Sequence, residues 1–153
     1  MAKHHKAATE PLFLGIECGG TRTSVVITAH EPTFLWQGAF GPANLRLLSD
    51  AQLVRHFRAI GEALPNPSVI AIGMAGARTE ADRKRIRAAA ARIWPDVPCY
   101  ATNDLETALM AATEAGVRRQ GPVPGARVLV LSGTGSCCFG RTADGRTAKV
   151  GGW

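Results

Sequence analysis

The stretch LFLGIECGGTRTSVVITA (12–29) decides the fold. LFLGIE (12–17) predicts a short buried strand, CGGT stops it, and RTSVVITA resumes as a second strand through residue 29. TFLWQGAF (33–40) predicts a third. Cys18 to Thr21 therefore form a glycine-rich turn between two strands, with no helix after it. That separates the turn from the P-loop and the dinucleotide fingerprint, which both need a helix next.

Outward from this turn the chain alternates. A helix is expected from Ser49, with Gln52 completing a capping box and Leu53, Phe57, Ile60 and Leu64 recurring on one face. PNP (65–67) ends it. SVIAIGM (68–74) predicts a strand, Ala75-Gly76-Ala77 a small-residue loop, and a second helix runs from near Thr79 to Trp94. VPCYAT (97–102) is a short strand, and Asn103-Asp104 open a third helix, LETALMAATEAG. GVRRQGPVPGA (116–126) is the boundary that composition marks. Beyond it come RVLVLS, the turn GTGS (133–136), CCFGRT, a hairpin turn at Ala143-Asp144-Gly145, RTAKV and GGW. The expected organisation is a flexible tail over 1–11, a lobe over 12–120, and the first strands of a second lobe over 121–153. The fold class is α/β, with a mixed sheet whose three leading strands are antiparallel.

Composition narrows the classes. Of the 153 residues, 46% are hydrophobic and 20% charged, which is enough apolar surface for a core and excludes a wholly disordered chain. No apolar run approaches the ~18–20 residues that cross a bilayer. The N-terminus lacks the ~7–15-residue apolar stretch of a signal peptide, so a soluble, cytoplasmic protein is expected. The net charge is +6, and 14 of the 18 basic residues are arginines. They are spread along the chain without an aromatic stacking platform, so no nucleic-acid partner is expected. Cys18, Cys99, Cys137 and Cys138 show no C-x-x-C spacing, which argues against zinc and against a disulfide framework. Cys137 and Cys138 are expected on a buried strand, as small core hydrophobes.

Two strand–turn–strand units, at GGT (19–21) and GTGS (133–136), carry the chemistry. Turns of Gly, Thr and Ser point several backbone N–H groups to one side, the nest that holds phosphate oxygens. One such turn is an ordinary hairpin; two in different lobes suggest a clamp on a nucleotide's phosphates. Asn103-Asp104 at a strand-to-helix junction reads either as a helix cap or as a carboxylate that deprotonates a sugar hydroxyl. Glu17 reads either as a strand-end acid or as a carboxylate holding Mg²⁺ through water.

The order LGIECGGTRT, GPAN, IGMAGA, ATNDLETAL, VLVLSGTGSC and VGGW resembles the N-acetylglucosamine kinases. Their wider group includes the activating ATPases of acyl-CoA reductases and dehydratases, and the larger fold is that of sugar kinases, actin and the heat-shock chaperone ATPase domain. The resemblance runs in order from residue 12 to 153, and GTGS between the Asn-Asp motif and GGW is its most specific part. It implies that Gly19, Gly20 and Thr21 form the first ATP phosphate loop, and Gly133, Thr134, Gly135 and Ser136 the second. By the same resemblance Asp104 is the catalytic base. Asn44, Gly76, Asn103, Asp104, Gly151, Gly152 and Trp153 would contact the sugar, and Glu17 would hold Mg²⁺. Asn44 read alone is equally a turn residue of GPAN, and Trp153 equally a strand anchor. Glu17 stands where many members of the superfamily carry aspartate, which favours the N-acetylglucosamine branch.

Two relatives fit less well. The repressor-like sugar kinases carry a cysteine-rich zinc site with no counterpart here. The activating ATPases hold an iron–sulfur cluster between subunits and a second loop similar to GGQD. The implied activity is transfer of the ATP γ-phosphoryl group to the 6-hydroxyl of N-acetylglucosamine or a related hexosamine. The competing readings are an activating ATPase and a non-catalytic sugar- or nucleotide-sensing lobe. The implied partners are an amino sugar, ATP with Mg²⁺, and a second copy of the full-length parent. The 153 residues are expected to be the N-terminal part of that parent, inactive by themselves.

Overall fold

In FLGIEC (13–18) every second side chain is buried. Leu14, Ile16 and Cys18 are at most 2% exposed, which is the period of a strand with one covered face. The computed structural model describes residues 10–29, 34–114, 125–132 and 136–152. The first strand is β1 (Phe13–Cys18), followed by β2 (Thr23–Thr28) and β3 (Phe34–Phe40) in an antiparallel meander. Next come α1 (Asp50–Glu62), β4 (Val69–Met74), α2 (Glu80–Ala91) and β5 (Cys99–Thr102). β4 lies parallel to β1 and β5 parallel to β4, giving a five-stranded sheet in the order β3-β2-β1-β4-β5. Helices make both parallel crossovers, as such connections require.

α1 begins where its capping box predicts. Ser49 Oγ accepts from the Gln52 N–H at 3.3 Å, and Gln52 Oε1 accepts from the Ser49 N–H at 2.8 Å. Its apolar face sets Leu53, Phe57 and Ile60 against Ile86, Ala89 and Ala90 of α2 and the covered sheet face. α2 stops at Ala91 rather than at Trp94. Arg92, Ile93 and Trp94 instead turn tightly, their N–H groups bonding the carbonyls of Ala89 and Ala90. Trp94 precedes Pro95, whose ring disfavours helical geometry in the residue before it.

The chain continues through α3 (Asp104–Glu114), β6 (Arg127–Ser132), β7 (Ser136–Arg141) and β8 (Thr147–Gly151). The last three form an antiparallel sheet in the order β6-β7-β8. The chain divides into two compact units between Asn103 and Asp104. α3 thus groups with β6–β8, whereas the expected first lobe ran to residue 120. Within the second unit α3 packs on β6, and Phe139 of the central strand is 5% exposed. The expected burial of Cys137 and Cys138 is corrected: Cys137 is half-buried and Cys138 exposed. Burial of a strand face needs a covering layer, and among the described residues the main element contacts of β7 are with β6 and β8. Most of the expected tail and of the 116–126 boundary, with Gly133, Thr134, Gly135 and Trp153, lies outside the described residues. No helix among the described residues is long and apolar enough to cross a membrane.

Candidate functional site

The carboxyl ends of the parallel strands are level. Cys18 of β1 pairs with Met74 of β4, and Thr102 of β5 pairs with Gly73. The segments leaving these ends are the Gly19–Arg22 turn, the Ala75-Gly76 loop and Asn103. In open α/β sheets ligands collect outside such strand ends.

The first turn is a closed hairpin loop. The Gly19 N–H donates to the Arg22 carbonyl at 2.9 Å and so is not available to a phosphate. Gly20 and Thr21 are exposed, and their N–H groups have no acceptor among the described residues. A Cβ on Gly19 would stand 3.5 Å from Glu17 Oε1, so the half-buried Glu17 carboxylate lies beside the turn. Two N–H donors, the Thr21 hydroxyl and an adjacent hard carboxylate suit a phosphate chain with a hydrated divalent cation. Cys18 is on the opposite face of β1; burial pushes its thiol up to about 12, the Thr23 hydrogen bond offsetting part of this.

Segment 41–46 ties the turn to the second loop. The Ala43 N–H donates to the Gly19 carbonyl at 3.0 Å. The Thr23 hydroxyl donates to the Gly41 carbonyl at 2.9 Å. With its one proton so used, that hydroxyl accepts from His56 Nε2, also at 2.9 Å. Burial lowers the His56 pKa, consistent with a neutral ring. Asn44 forms an isolated parallel bridge with Ala75, and the Leu45 N–H donates to the Ala75 carbonyl at 2.9 Å. Asn44 and Gly76 are thus brought together. Asn44 Oδ1 accepts from the Arg46 N–H at 3.0 Å, the local turn that GPAN allows, while its Nδ2 has no partner among the described residues.

Arg46 and Asp82 are functional candidates the sequence did not reveal. Arg46 Nε donates to the Gly76 carbonyl at 2.9 Å, and its Nη2 meets Asp82 Oδ2 at 2.5 Å. Asp82 Oδ2 also accepts from the N–H groups of Arg78 and Thr79 and from the Thr79 hydroxyl. Burial raises the Asp82 pKa, but these donors and the Arg46 charge outweigh it and bring it to about 2. The Thr79/Asp82 half of this cluster is a capping box and was legible as T-x-x-D. The Arg46 half joins residues 36 positions apart, and no local signal predicts it.

Asn103 precedes α3 directly, and Asp104 is the first residue of that helix. In the second unit, Ser136 opens β7 and lies beside the Gly151-Gly152 segment. The Gly152 N–H donates to the Ser136 carbonyl at 3.0 Å, and a Cβ on Gly151 would stand 2.7 Å from that oxygen. Both glycines have positive φ, +80° and +70°. Sequence-predicted residues therefore meet within each unit: Glu17, Gly19, Gly20, Thr21, Asn44 and Gly76 in the first, Ser136, Gly151 and Gly152 in the second.

No family model matches the chain. Over 92% of its length it is 30% identical to N-acetylmuramic acid/N-acetylglucosamine kinase of Clostridium acetobutylicum, and it spans 45% of that relative. A Chromobacterium violaceum protein assigned to N-acetylglucosamine kinase matches with a TM-score of 0.66 at 22% identity, over 95% of this chain and 50% of that one. Glucokinase from Balamuthia mandrillaris, in complex with glucose, matches with a TM-score of 0.57 at 16% identity, over 97% and 49%. The chain thus spans about half the length of each of these three proteins. In sequence the chain resembles the N-acetylglucosamine kinases over nearly its whole length, and its fold is that of the actin-like ATPases and sugar kinases.

Proposed function

We propose that the protein carrying this chain is an ATP-dependent kinase of an amino sugar, N-acetylglucosamine foremost, forming the 6-phosphate. The observation that supports this most is the meeting of Asn44 and Gly76 beside the Gly19–Thr21 turn, at the ends of the parallel strands. The N–H groups of Gly20 and Thr21 would hold phosphate oxygens, and Glu17 would hold Mg²⁺ through water. Bound Mg²⁺ neutralises phosphate charge.

Asn44 Nδ2 donates to a sugar hydroxyl. Asp104 takes the proton of the 6-hydroxyl as its oxygen attacks the γ-phosphorus, while the bond to the β-phosphate oxygen breaks and ADP leaves. Gly151 and Gly152 contribute close backbone approach to the sugar, and Ser136 donates to phosphate. Positioning and charge neutralisation supply most of the rate.

The test is ATP-dependent phosphorylation by the intact gene product across a hexosamine panel that includes N-acetylmuramic acid. Turnover on an N-acetylhexosamine supports the reading. ATP hydrolysis that no sugar stimulates would overturn it in favour of an activating ATPase.

A further inference from the structure

Outside the candidate site, α1 and α2 leave a groove of about 710 Å³ between them. On α1 it is lined by Ala51, Val54, Arg55 and Arg58, an i, i+3, i+4, i+7 stripe. On α2 and its C-cap the lining residues are Arg85, Ala88, Ala89 and Arg92, the same spacing. Such a stripe is the surface one helix offers another. Each stripe runs about 10 Å along its helix at 1.5 Å per residue.

The floor is made of small apolar side chains, which lets a third helix approach to the usual ~8–10 Å between axes. The rim is cationic. Arg85 is occupied by Asp50 and by the carbonyls of Leu45 and Leu48. Arg55, Arg58 and Arg92 are exposed and have no ion pair among the described residues. Asp50 is the single acid in the lining, and Arg85 holds it. Placing a second copy here face to face would oppose guanidinium to guanidinium.

We propose that this trough docks a helix of a partner protein, one with a small-residue ridge flanked by Asp or Glu at positions that meet Arg55, Arg58 and Arg92. The apolar floor supplies the contact area and the three arginines fix orientation and partner choice. The proposal stands independently of the kinase reading.

The probe is a fluorescein-labelled, lactam-bridged helical peptide of about 15 residues with an alanine ridge and flanking glutamates, long enough for a stable helix. Its binding to the full chain is read by anisotropy. The expected result is saturable binding that weakens about tenfold or more in the Arg55→Glu/Arg58→Glu/Arg92→Glu variant and falls with added salt. Ala88→Phe, which fills the exposed floor, should weaken it comparably. Both variants are checked for an unchanged thermal transition.

No binding, or equal binding of a proline-broken peptide of the same charge, would overturn the proposal. Displacement by inorganic tripolyphosphate together with indifference to Ala88→Phe would make the groove a generic anion site and overturn it too. Sedimentation showing a dimer of this chain that the arginine reversals dissociate would assign the face to a second copy instead.

Discussion

The amide oxygen of Asn44 lies where a side chain on residue 76 would begin, so the glycine at 76 and the asparagine at 44 are fitted to one another. Gly76 has φ +83°, and the Arg46 guanidinium holds its carbonyl at 2.9 Å. Two loops leaving different elements are thereby locked into one surface at the ends of β1 and β4.

Gly76→Ala is expected to cost about 1–2 kcal/mol from the left-handed backbone alone. The Cβ also pushes the Asn44 amide aside, so sugar affinity should fall about tenfold if that amide contacts the sugar. Urea denaturation and calorimetric sugar titration of the same variant separate the two effects. Unchanged sugar binding in a destabilised variant would remove Asn44 from the site.

Asp82 makes a second expectation, in pH. Its carboxyl is held below its ordinary 3.8, at about 2, so its contribution to stability is present above 3.8 and is lost as pH falls through about 2. The urea midpoint of the unaltered protein should therefore drop between about pH 4 and pH 2 more steeply than that of Asp82→Asn. Parallel curves would show that the Arg46–Asp82 pair contributes nothing in solution.

The cysteines should separate by reactivity. The buried Cys18 thiol, at about 12, forms almost no thiolate near neutrality, whereas Cys138 is exposed. Peptide mass mapping after brief iodoacetamide treatment at mildly alkaline pH should find Cys138 modified and Cys18 intact. Early labelling of Cys18 would mean that the β1–α1 core opens readily.

The strands and helices were legible because their signals are local. Alternation in LFLGIEC and TSVVIT, Ser49 three residues before Gln52, and the prolines at 65, 67 and 95 each act within a turn or two. The missing helix after CGGT was legible for the same reason, and it separated this fold from the dinucleotide binders. Pairing across distance was not. Nothing in GPAN says that Asn44 meets Gly76, or that Arg46 reaches Asp82, since both contacts depend on how β4 lies beside β1. The exposure of Cys138 was misjudged because an apolar strand shows only that it can be covered. The resemblance places Gly19 in the first phosphate loop, but only the folded turn shows that its own N–H closes the hairpin to Arg22.

The most direct test of the account is Asp104→Asn in the intact gene product, with sugar binding and turnover measured together. Asparagine is well tolerated at a helix start, so the fold should persist. The account predicts that kcat falls about 10²–10⁴-fold, the usual contribution of a general base, while the affinity for N-acetylglucosamine stays within a few-fold. Turnover that survives the substitution undiminished would contradict it.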